Sequence, residues 1–211
     1  MYCIGILGSG RVGAILAGKL ADVGHDVVVG TRTGTRPEGW SGPSLAFADH
    51  ETTARRAEIV VNAAPGDSAL ERLTALREPL AGKILVDVSN ATRRDADGLP
   101  GALSYPGESL AEHLQDALAE TRVVKTLNTM LFSVMANPRS LPVPPMAFLS
   151  GNDSGAKAVV GGLLGDLGWP AEWIMDLGDV TTARSTEALA LLVPHIIRSR
   201  GFAPFAITVA Y

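Results

Sequence analysis

A glycine-rich segment near the start of the sequence has the residue types and spacing of a phosphate-binding turn. Residues 8–13 read Gly-Ser-Gly-Arg-Val-Gly and match G-x-G-x-x-G, directly after the apolar run 2–7 and before the helix-like segment 11–23. In this context Gly8 permits a tight turn, Gly10 lets the backbone approach a pyrophosphate, and Gly13 allows the helix to pack closely on the strand. The helix N-terminus adds unpaired N–H groups and a positive dipole end. The segment predicts a dinucleotide site, and a purely structural glycine turn is the alternative interpretation.

The end of the second predicted strand, residues 26–30, carries the residue types that distinguish NADP from NAD. An NAD site places an acidic residue there to bind the ribose 2′-hydroxyl, whereas arginine accommodates the 2′-phosphate of NADP. Asp26 stands at the other end of this strand, and no acidic residue follows it before Glu38. The basic and hydroxyl residues at the strand's end are Thr31, Arg32, Thr33 and Arg36. Because two guanidiniums can bind a phosphate bidentately, these residues predict NADP(H) as the cofactor, with two solvated surface arginines as the alternative.

Composition restricts the class of protein. The chain has 211 residues, 46% of them hydrophobic, and its mean hydropathy is +0.20, which is typical of a globular enzyme with a sizeable core. A net charge of −4 gives no reason to expect a nucleic-acid partner. Cys3 is the single cysteine, so neither a disulfide nor a cysteine metal site can form within the chain. The pattern of a folded domain starts at residue 2 and no apolar stretch is long enough to span a bilayer, so we expect no signal peptide, no membrane partner and a cytoplasmic location.

Apolar runs alternate with segments of helical periodicity along most of the chain. The predicted strands cover residues 2–7, 26–30, 58–64, 83–88, 122–126, 146–149 and 172–175. The predicted helices cover residues 11–23, 44–57, 68–76, 109–119 and 154–167, with capping boxes at 68–71 and 109–112. Residues 33–43 and 93–107 are predicted loops. This alternation predicts an α/β fold: a Rossmann-type, doubly wound, mostly parallel sheet with a C-terminal helical extension.

In such a sheet the carboxyl ends of the strands meet at one edge, where ligands bind. The sequence places on that edge Gly8, Thr31, Ala64-Pro65, Ser89-Asn90 and Leu127-Asn128-Thr129. These residues are therefore expected to form one site, although they come from distant parts of the chain. Trp40, in the loop beyond Thr31, is expected either to stack on adenine or to be a packed loop residue.

The pattern changes near residue 181. Residues 181–198 have the pattern of a long apolar helix with Pro194 as an expected kink, and the tail 202–207 is too apolar to remain in water. We expect an NADP-binding Rossmann domain over residues 1–180, and a C-terminal helix and tail over 181–211 that pack on that domain or on a second subunit. The apolar tail favours a homodimer.

The sequence contains no pattern that is typical of acid–base catalysis. It has no Tyr-x-x-x-Lys, no His–Asp relay at suggestive spacing and no G-x-S-x-G. Lys125 ends a strand at the ligand-binding edge, where it would contact ribose or an anionic substrate, and His195 lies in the C-terminal helix, near a pocket or in a packed or capping role. Hydride transfer between two rings depends on positioning and needs no side chain to move a proton in that step. We therefore predict no catalytic acid or base and no metal.

Several of these segments together resemble a known family. They are Gly-Ser-Gly-Arg-Val-Gly (8–13), Val-Gly-Thr-Arg (29–32), Val-Val-Asn-Ala-Ala-Pro (60–65), Asp-Val-Ser-Asn (87–90), Ser-Leu-Ala-Glu (109–112), Val-Val-Lys-Thr-Leu-Asn-Thr (123–129), Asp-Leu-Gly-Asp (176–179) and Ala-Arg (183–184). Over nearly the whole chain they are similar to the NADP oxidoreductases that work with the deazaflavin coenzyme F420. They are also similar to the cytosolic domain of the membrane metalloreductases that share that fold.

The resemblance implies roles for individual residues. The implied pyrophosphate ligands are Ser9, Arg11 and Val12, and the implied 2′-phosphate ligands are Thr31, Arg32 and Arg36. The residues beside the ribose would be Ala64 and Pro65, and those that border the nicotinamide Asn90, Leu127 and Asn128. The residues expected on the side of the second substrate are Thr129, Met130, Ser133 and His195.

Three functions are compatible with these features. The first is an oxidoreductase that transfers a hydride between NADPH and a deazaflavin such as coenzyme F420. The second is an NADPH-dependent dehydrogenase or imine reductase that acts on another small organic molecule. The third is a sensor that binds NADP without catalysis.

Overall fold

The computed structural model describes residues 1–210 of the chain, and residue 211 lies outside the described part. Its strands are β1 Cys3–Leu7, β2 Asp26–Thr31, β3 Ala46–Asp49, β4 Ile59–Asn62, β5 Ile84–Asp87, β6 Thr92–Arg94, β7 Pro100–Leu103, β8 Arg122–Lys125, β9 Ala147–Ser150 and β10 Ile174–Gly178. Its helices are α1 Arg11–Asp22, α2 His50–Arg56, α3 Ala69–Thr74, α4 Arg77–Leu80, α5 Leu110–Ala117, α6 Phe132–Met135, α7 Ser154–Asp166, α8 Ala183–Ala188 and α9 Val193–Arg200. Short 3-10 turns cover Gly66–Ser68, Pro138–Ser140, Ala171–Trp173, Val180–Thr182 and Leu189–Leu192.

Eight strands form one sheet in the order β10-β9-β8-β5-β4-β1-β2-β3. From β8 to β3 all neighbouring strands are parallel, whereas β9 joins β8 through the antiparallel pair Lys125↔Ser150. The central strands β4 and β5 are buried at every residue, as expected for strands that are covered on both faces. The predicted Rossmann-type, mostly parallel sheet with C-terminal helices is confirmed.

Helices cover both faces of the sheet and divide the core into two apolar clusters. One cluster packs α1, α6 and α7 against the sheet, with Leu16, Val134 and Leu163 among its buried members. The other packs α2 to α5 and α8 on the opposite face, with Leu73 and Leu114 fully buried. Since helices occupy both faces, a ligand has access to the sheet at the carboxyl ends of its strands.

The predicted helix over residues 44–57 is wrong in its first half. Residues Ala46–Asp49 instead form the edge strand β3, which pairs with β2 from Val28↔Ala46 to Thr31↔Asp49. The helix α2 begins only after Asp49, whose side chain accepts a hydrogen bond from Thr52 N at 2.7 Å. Pairing with a neighbouring strand has therefore overridden a local helical pattern, and an N-cap defines where the helix begins.

The predicted loop over residues 93–107 contains a small hairpin, β6–β7, which forms a second sheet. Its turn is held by Asp95, whose Oδ1 accepts from the backbone N–H groups of Asp97 and Leu99 at 3.0 and 2.9 Å. Gly98 provides the positive φ of 76° that the turn requires. The polar sequence therefore belongs to the turn, and the strands themselves are too short to show a clear alternation.

One of the two predicted capping boxes forms. Ser109 Oγ accepts from Glu112 N at 3.1 Å and contacts Glu112 Oε2 at 2.8 Å, so α5 begins as predicted. Ser68 makes no capping hydrogen bond, because the chain enters α3 through the 3-10 turn Gly66–Ser68 rather than from an extended residue.

The residues of the predicted helix over 181–198 are helical, but they do not form one continuous α-helix, because the 3-10 turn Leu189–Leu192 separates α8 from α9. Pro194 lies in the first turn of α9, where its missing N–H is not needed, so it begins a helix instead of kinking one. None of the helices across residues 1–210 combines the length and apolarity that crossing a bilayer requires.

The C-terminal tail lies along its own chain. Phe205 O accepts from Leu131 N at 2.9 Å, and Ile207 N donates to Thr129 O at 3.1 Å. An antiparallel bridge pairs Met130 with Ala206 between these two bonds. The tail therefore packs beside the carboxyl end of β8, and the homodimer stays a prediction.

Candidate functional site

A cavity of about 460 Å³ opens at the carboxyl ends of the central strands. Its lining comes from the turn after β1, the segments that follow β4, β5 and β8, the hairpin β6–β7, the turn before α9 and the C-terminal tail. The cavity lies at the edge of the sheet where parallel α/β folds bind ligands. The ionisable side chains in its lining are Arg11, Asp67 and Arg94.

The glycine turn after β1 has the geometry of a phosphate cradle. Gly8 has a φ of 125°, which favours glycine, and a side chain at Gly13 would collide with the carbonyl oxygen of Gly8. At Gly10 no atom outside residues 9–11 lies within 4 Å of the position that a Cβ would occupy. The helix α1 begins at Arg11 without a side-chain cap, so the N–H groups of its first turn remain available to a ligand. Open space and free donors at one point fit a pyrophosphate.

Arg11, the first residue of α1, lies between two aromatic rings. Its Cζ is 4.8 Å from the ring centroid of Phe132 and 5.9 Å from that of Phe202. Both distances are within the range of cation–π attraction, so the rings restrict where the guanidinium points. Because Phe202 belongs to the tail, the tail reaches the start of α1 as well as the cavity lining at Phe205 and Ile207.

The residues predicted to bind a 2′-phosphate lie beside the glycine turn. Gly8 N donates to Gly30 O at 3.2 Å, which fixes the end of β2 next to the turn. Thr31 is buried and its Oγ1 donates to Thr35 O at 3.0 Å. Three further predicted residues are exposed on the loop beyond it, namely Arg32, Thr33 and Arg36. Trp40, farther along the loop, is buried, and its Nε1 donates to Pro43 O at 2.7 Å, so it is the packed loop residue of the two alternatives.

The electrostatic environment at the end of β2 favours an anion. Neither Arg32 nor Arg36 has a carboxylate within ion-pair distance among residues 1–210. The pKa of the nearby His50 lies below its ordinary value, because burial disfavours the charged ring and the positive charges of Arg72 and Arg32 repel it further. Two exposed guanidiniums without carboxylate partners are suited to bind a phosphate.

Asn90 and Asn128 are hydrogen-bonded to each other at the inner end of the cavity. Asn90 Nδ2 donates to the backbone O of Asn128 at 2.8 Å, and Asn128 Nδ2 donates to Asn90 Oδ1 at 3.0 Å. The neighbouring Thr129 also lines the cavity, and its buried Oγ1 has no hydrogen-bond partner in the described structure. The lining at Thr129 therefore comes from its other atoms, because the buried Oγ1 is not accessible from the cavity.

A buried triad of charged residues lies beneath the cavity and consists of Asp87, Lys125 and Glu187. Lys125 Nζ is 2.7 Å from Asp87 Oδ2 and 2.8 Å from Glu187 Oε1, and the three side chains are at most 3% exposed. Burial disfavours the ammonium, but the two carboxylates outweigh this penalty, so the pKa of Lys125 is raised above its ordinary value. The expectation that Lys125 contacts ribose or an anionic substrate is therefore wrong, because its charge is directed into the core.

The triad continues into a network of hydrogen bonds. Asp87 Oδ1 accepts from Asn62 Nδ2 at 2.8 Å and from Ser89 Oγ at 2.8 Å. Asn62 Oδ1 in turn accepts from Arg72 Nη2 at 2.9 Å. The ends of β4, β5 and β8 are therefore joined by polar side chains directly below the cavity.

The structure brings half of the predicted site residues together and leaves the others outside the cavity. Those that line it are Gly10, Arg11, Val12, Ala64, Pro65, Asn90, Asn128, Thr129 and Met130. Those outside the lining are Gly8, Ser9, Thr31, Arg32, Thr33, Arg36, Leu127, Ser133 and His195. Gly8 and Ser9 belong to the turn itself, and residues 31–36 lie on the adjacent loop.

Three of the predicted residues lie away from the cavity for identifiable reasons. Leu127 has a left-handed backbone, φ 57°, which directs its side chain into the core instead of toward the cavity. Ser133 lies in α6 with its Oγ buried and without a partner, outside the lining. His195 is exposed on α9, because the break of the predicted helix at residues 189–192 places other residues against the cavity.

Sequence reasoning did not single out several residues of the lining. They are Ala63, Gly66, Asp67, Val88, Thr92, Arg94, Leu131, Phe132, Met135, Leu189, Ala190, Val193, Phe205 and Ile207. Gly66 had a local signal, because it follows Pro65 at a strand end and a Cβ there would collide with the backbone of Asn90. The hairpin and tail residues had none, since their place depends on long-range packing.

Comparison with known proteins identifies the family. A family model described as NADP oxidoreductase, coenzyme F420-dependent, matches residues 3–91. A solved structure from Arthrobacter sp. FB24, provisionally assigned as an F420-dependent NADP-reductase, is 40% identical and covers 100% of both chains with a TM-score of 0.91.

Two curated relatives extend the comparison to longer proteins. Metalloreductase STEAP3 of Rattus norvegicus is 33% identical over 189 residues, which are 89% of this chain and 36% of that protein. F420-dependent NADP reductase of Methanocaldococcus jannaschii is 27% identical over 146 residues, which are 69% of this chain and 64% of that protein. The chain thus spans about a third of the first relative and less than two thirds of the second. With the likeness over the full length of the Arthrobacter structure, these findings show that the chain belongs to the family of coenzyme F420-dependent NADP oxidoreductases.

Proposed function

We propose that this protein transfers a hydride between NADPH and a deazaflavin of the coenzyme F420 type inside the cavity. The observation that carries the proposal is the arrangement of the cavity itself. A phosphate cradle with open space at Gly10 lies at one end, and an apolar wall lies at the other, beyond the paired Asn90 and Asn128. This arrangement suits two flat rings that must meet face to face in a dry slot.

The residues divide into three regions along the cofactor. The first turn of α1, with Ser9, Arg11 and Val12, would hold the pyrophosphate by its N–H groups and dipole. Thr31, Arg32 and Arg36 would hold the 2′-phosphate beside that turn. The segment Ala64-Pro65 would run along the ribose and lead to Asn90 and Asn128 at the nicotinamide.

The chemistry that bound NADPH supplies is a hydride at C4 of its nicotinamide ring. The chain's contribution is to orient that ring and to exclude water from the space above it. The apolar side chains available for this are Met130, Leu131, Phe132, Met135, Leu189, Val193, Phe205 and Ile207.

Rapid mixing of the protein with NADPH and oxidised coenzyme F420 tests the proposal. We expect the absorbance of the deazaflavin to fall together with that of NADPH, with one deazaflavin reduced for each NADPH oxidised. Mixing without protein should give no change. A cofactor sensor would bind NADPH without this loss, and a reductase for another small molecule would leave the deazaflavin oxidised. Binding of NADPH without any deazaflavin reduction would contradict the proposal.

The glycine turn provides a separate prediction. Gly10→Ala should keep the free energy of unfolding within about 0.5 kcal/mol of the wild type, since no atom outside residues 9–11 lies within 4 Å of the new Cβ. It should weaken NADPH binding by about tenfold or more, about 1.4 kcal/mol, because the methyl group enters the space expected for the pyrophosphate. Urea unfolding and titration of nicotinamide fluorescence measure the two effects.

Gly39→Ala is the matched control for the turn variant. Gly39 also has no atom outside residues 38–40 within 4 Å of its prospective Cβ, and it lies in the exposed loop before Trp40. We expect it to change neither stability nor affinity. An unchanged affinity for NADPH in Gly10→Ala would show that no phosphate approaches this turn.

A further inference from the structure

The buried triad Asp87–Lys125–Glu187 connects two walls of the cavity that are far apart in sequence. One wall is the segment after β5, which contributes Val88, Ser89 and Asn90 to the lining. The other is the segment after α8, which contributes Leu189, Ala190 and Val193. The ligand contact that the sequence predicted for Lys125 does not form, because its ammonium pairs with Asp87 and Glu187 instead. No role at the site has yet been assigned to Glu187.

Lys125 fixes the backbone of the first wall, the segment after β5, by hydrogen bonds. Its Nζ donates to the backbone O of Ser89 as well as to Asp87 Oδ2, the latter at 2.7 Å. Asp87 holds the same turn from the other side, because its Oδ1 accepts from Ser89 N at 3.2 Å and from Ser89 Oγ at 2.8 Å. The backbone that presents Asn90 to the cavity is therefore fixed at the residue directly before it.

Glu187 holds the second wall. It lies in α8, two residues before Leu189, and is 3% exposed. Its Oε1 is 2.8 Å from Lys125 Nζ, and its two oxygens accept from Leu110 N at 3.0 Å and Ala111 N at 3.3 Å, at the start of α5. One carboxylate thus joins α8 to β8 and to the first turn of α5, and thereby fixes where the following segment begins.

We propose that Lys125 and Glu187 are positioning residues that hold the segment 88–90 and the segment 189–193 in a fixed relation, so that both walls confine the ring bound between them. The inference rests on the proposed function in one respect, namely that this ring is the nicotinamide of NADPH. A buried ion pair gives little net stability compared with apolar residues of the same volume, so stability alone does not account for this triad. Such a triad instead fixes the relative position of the three segments that carry Asp87, Lys125 and Glu187.

Glu187→Gln is the variant that tests the role, and Glu112→Gln is its matched control. Glu112 lies in α5 and pairs with Arg184 of α8, so it joins the same two helices by an ion pair. That pair lies away from the cavity, with Arg184 exposed. The two variants thus make the same chemical change at two contacts between α5 and α8. Only the contact at Glu187 also involves Lys125, which binds the backbone of Ser89.

The first readout uses NADPH alone and is independent of the acceptor. We expect Glu187→Gln to bind NADPH with a Kd within about threefold of the wild type, because the phosphate contacts remain, but with lower fluorescence anisotropy of the bound nicotinamide. Glu112→Gln should match the wild type in both quantities. Equal anisotropy of bound NADPH in the wild type and Glu187→Gln would overturn the proposal.

The second readout applies once the wild type reduces coenzyme F420. Glu187→Gln should lower kcat by about 10- to 100-fold, the scale of a 1 Å misplacement, and raise the isotope effect on kcat for NADPH deuterated at C4. A merely structural role lowers the folded fraction, which reduces kcat but leaves the isotope effect unchanged, and that result would overturn the proposal. If the wild type does not reduce coenzyme F420, the proposed function fails while the anisotropy comparison still decides the inference.

A further variant covers loss of folding. If Glu187→Gln is unfolded at 25 °C by circular dichroism, Glu187→Asp replaces it, because it keeps the charge and shortens the reach by one methylene. The anisotropy of bound NADPH should again be below that of the wild type. An anisotropy equal to that of the wild type would overturn the role of Glu187.

Discussion

Lys125→Met is expected to lower the free energy of unfolding by about 3–5 kcal/mol, the range for removing one partner of a buried ion pair. The substitution keeps a side chain of similar length but leaves Asp87 and Glu187, which are at most 3% exposed, without their cation. The free-energy cost of two buried carboxylates without a cation is far larger than the cost of the small change in side-chain volume. Urea denaturation followed by circular dichroism measures the change.

Lys157→Met is the matched control for this substitution. Lys157 Nζ pairs with Asp176 Oδ1 at 2.8 Å, but Asp176 is 53% exposed and can be hydrated when the lysine is lost. Its effect should be about 1 kcal/mol or less. Equal destabilisation by the two substitutions would show that the triad is not a buried ionic centre.

The pKa of Lys125 gives this stabilisation a defined pH range. A folded-state pKa above the ordinary value of 10.5 means that the contribution is fully present below about pH 10.5. It is lost as the pH rises through the raised pKa, where the folded state also releases the proton. Titration of Lys125 should therefore remove none of the wild type's free energy of unfolding between pH 7 and pH 9, which urea denaturation at each pH measures.

Arg32→Ala is expected to weaken NADPH binding by about 1.5–3 kcal/mol and to change NADH binding little. Arg32 is exposed beside the glycine turn and has no carboxylate partner among residues 1–210, so its guanidinium is available to the 2′-phosphate that distinguishes the two cofactors. Titration of nicotinamide fluorescence with each cofactor gives the two affinities.

Arg77→Ala serves as the control for Arg32→Ala. Arg77 is also an exposed arginine, but it lies in α4 and does not contribute to the cavity. Its loss should leave both affinities unchanged, which excludes a general effect of net charge. If Arg32→Ala weakened the binding of NADPH and of NADH equally, Arg32 would not bind the 2′-phosphate.

The features that the sequence predicted well depend on local spacing. The turn at Gly8 to Gly13 needs its residues in a short, fixed order, because the backbone conformation and close packing leave no other choice. The central strands are short apolar runs between turn residues, and Ser109 with Glu112 carries its own N-terminal signal. These elements place the cradle and the paired asparagines at one edge.

The features that were missed depend on partners far away in the chain. β3 is a strand because β2 offers it an edge, although residues 44–57 have a helical pattern. Lys125 is directed into the core because Glu187, 62 positions later, reaches it from α8. The tail residues Phe205 and Ile207 complete the cavity, and backbone hydrogen bonds to residues 129–131 hold them there. Because these bonds involve no side chain, the residue types of the tail did not indicate its partner.

The most direct measurement of hydride transfer in this cavity follows deuterium from NADPH, labelled at both C4 positions, into oxidised coenzyme F420. The proposed mechanism predicts reduced deazaflavin with one deuterium on its acceptor carbon for each NADPH oxidised, because a hydride passes directly between the two carbons without exchange with water. Mass spectrometry of the reduced coenzyme after incubation in ordinary water gives the label content, and a mixture without protein is the control. Reduced deazaflavin without deuterium, or no reduced deazaflavin at all, would contradict direct hydride transfer.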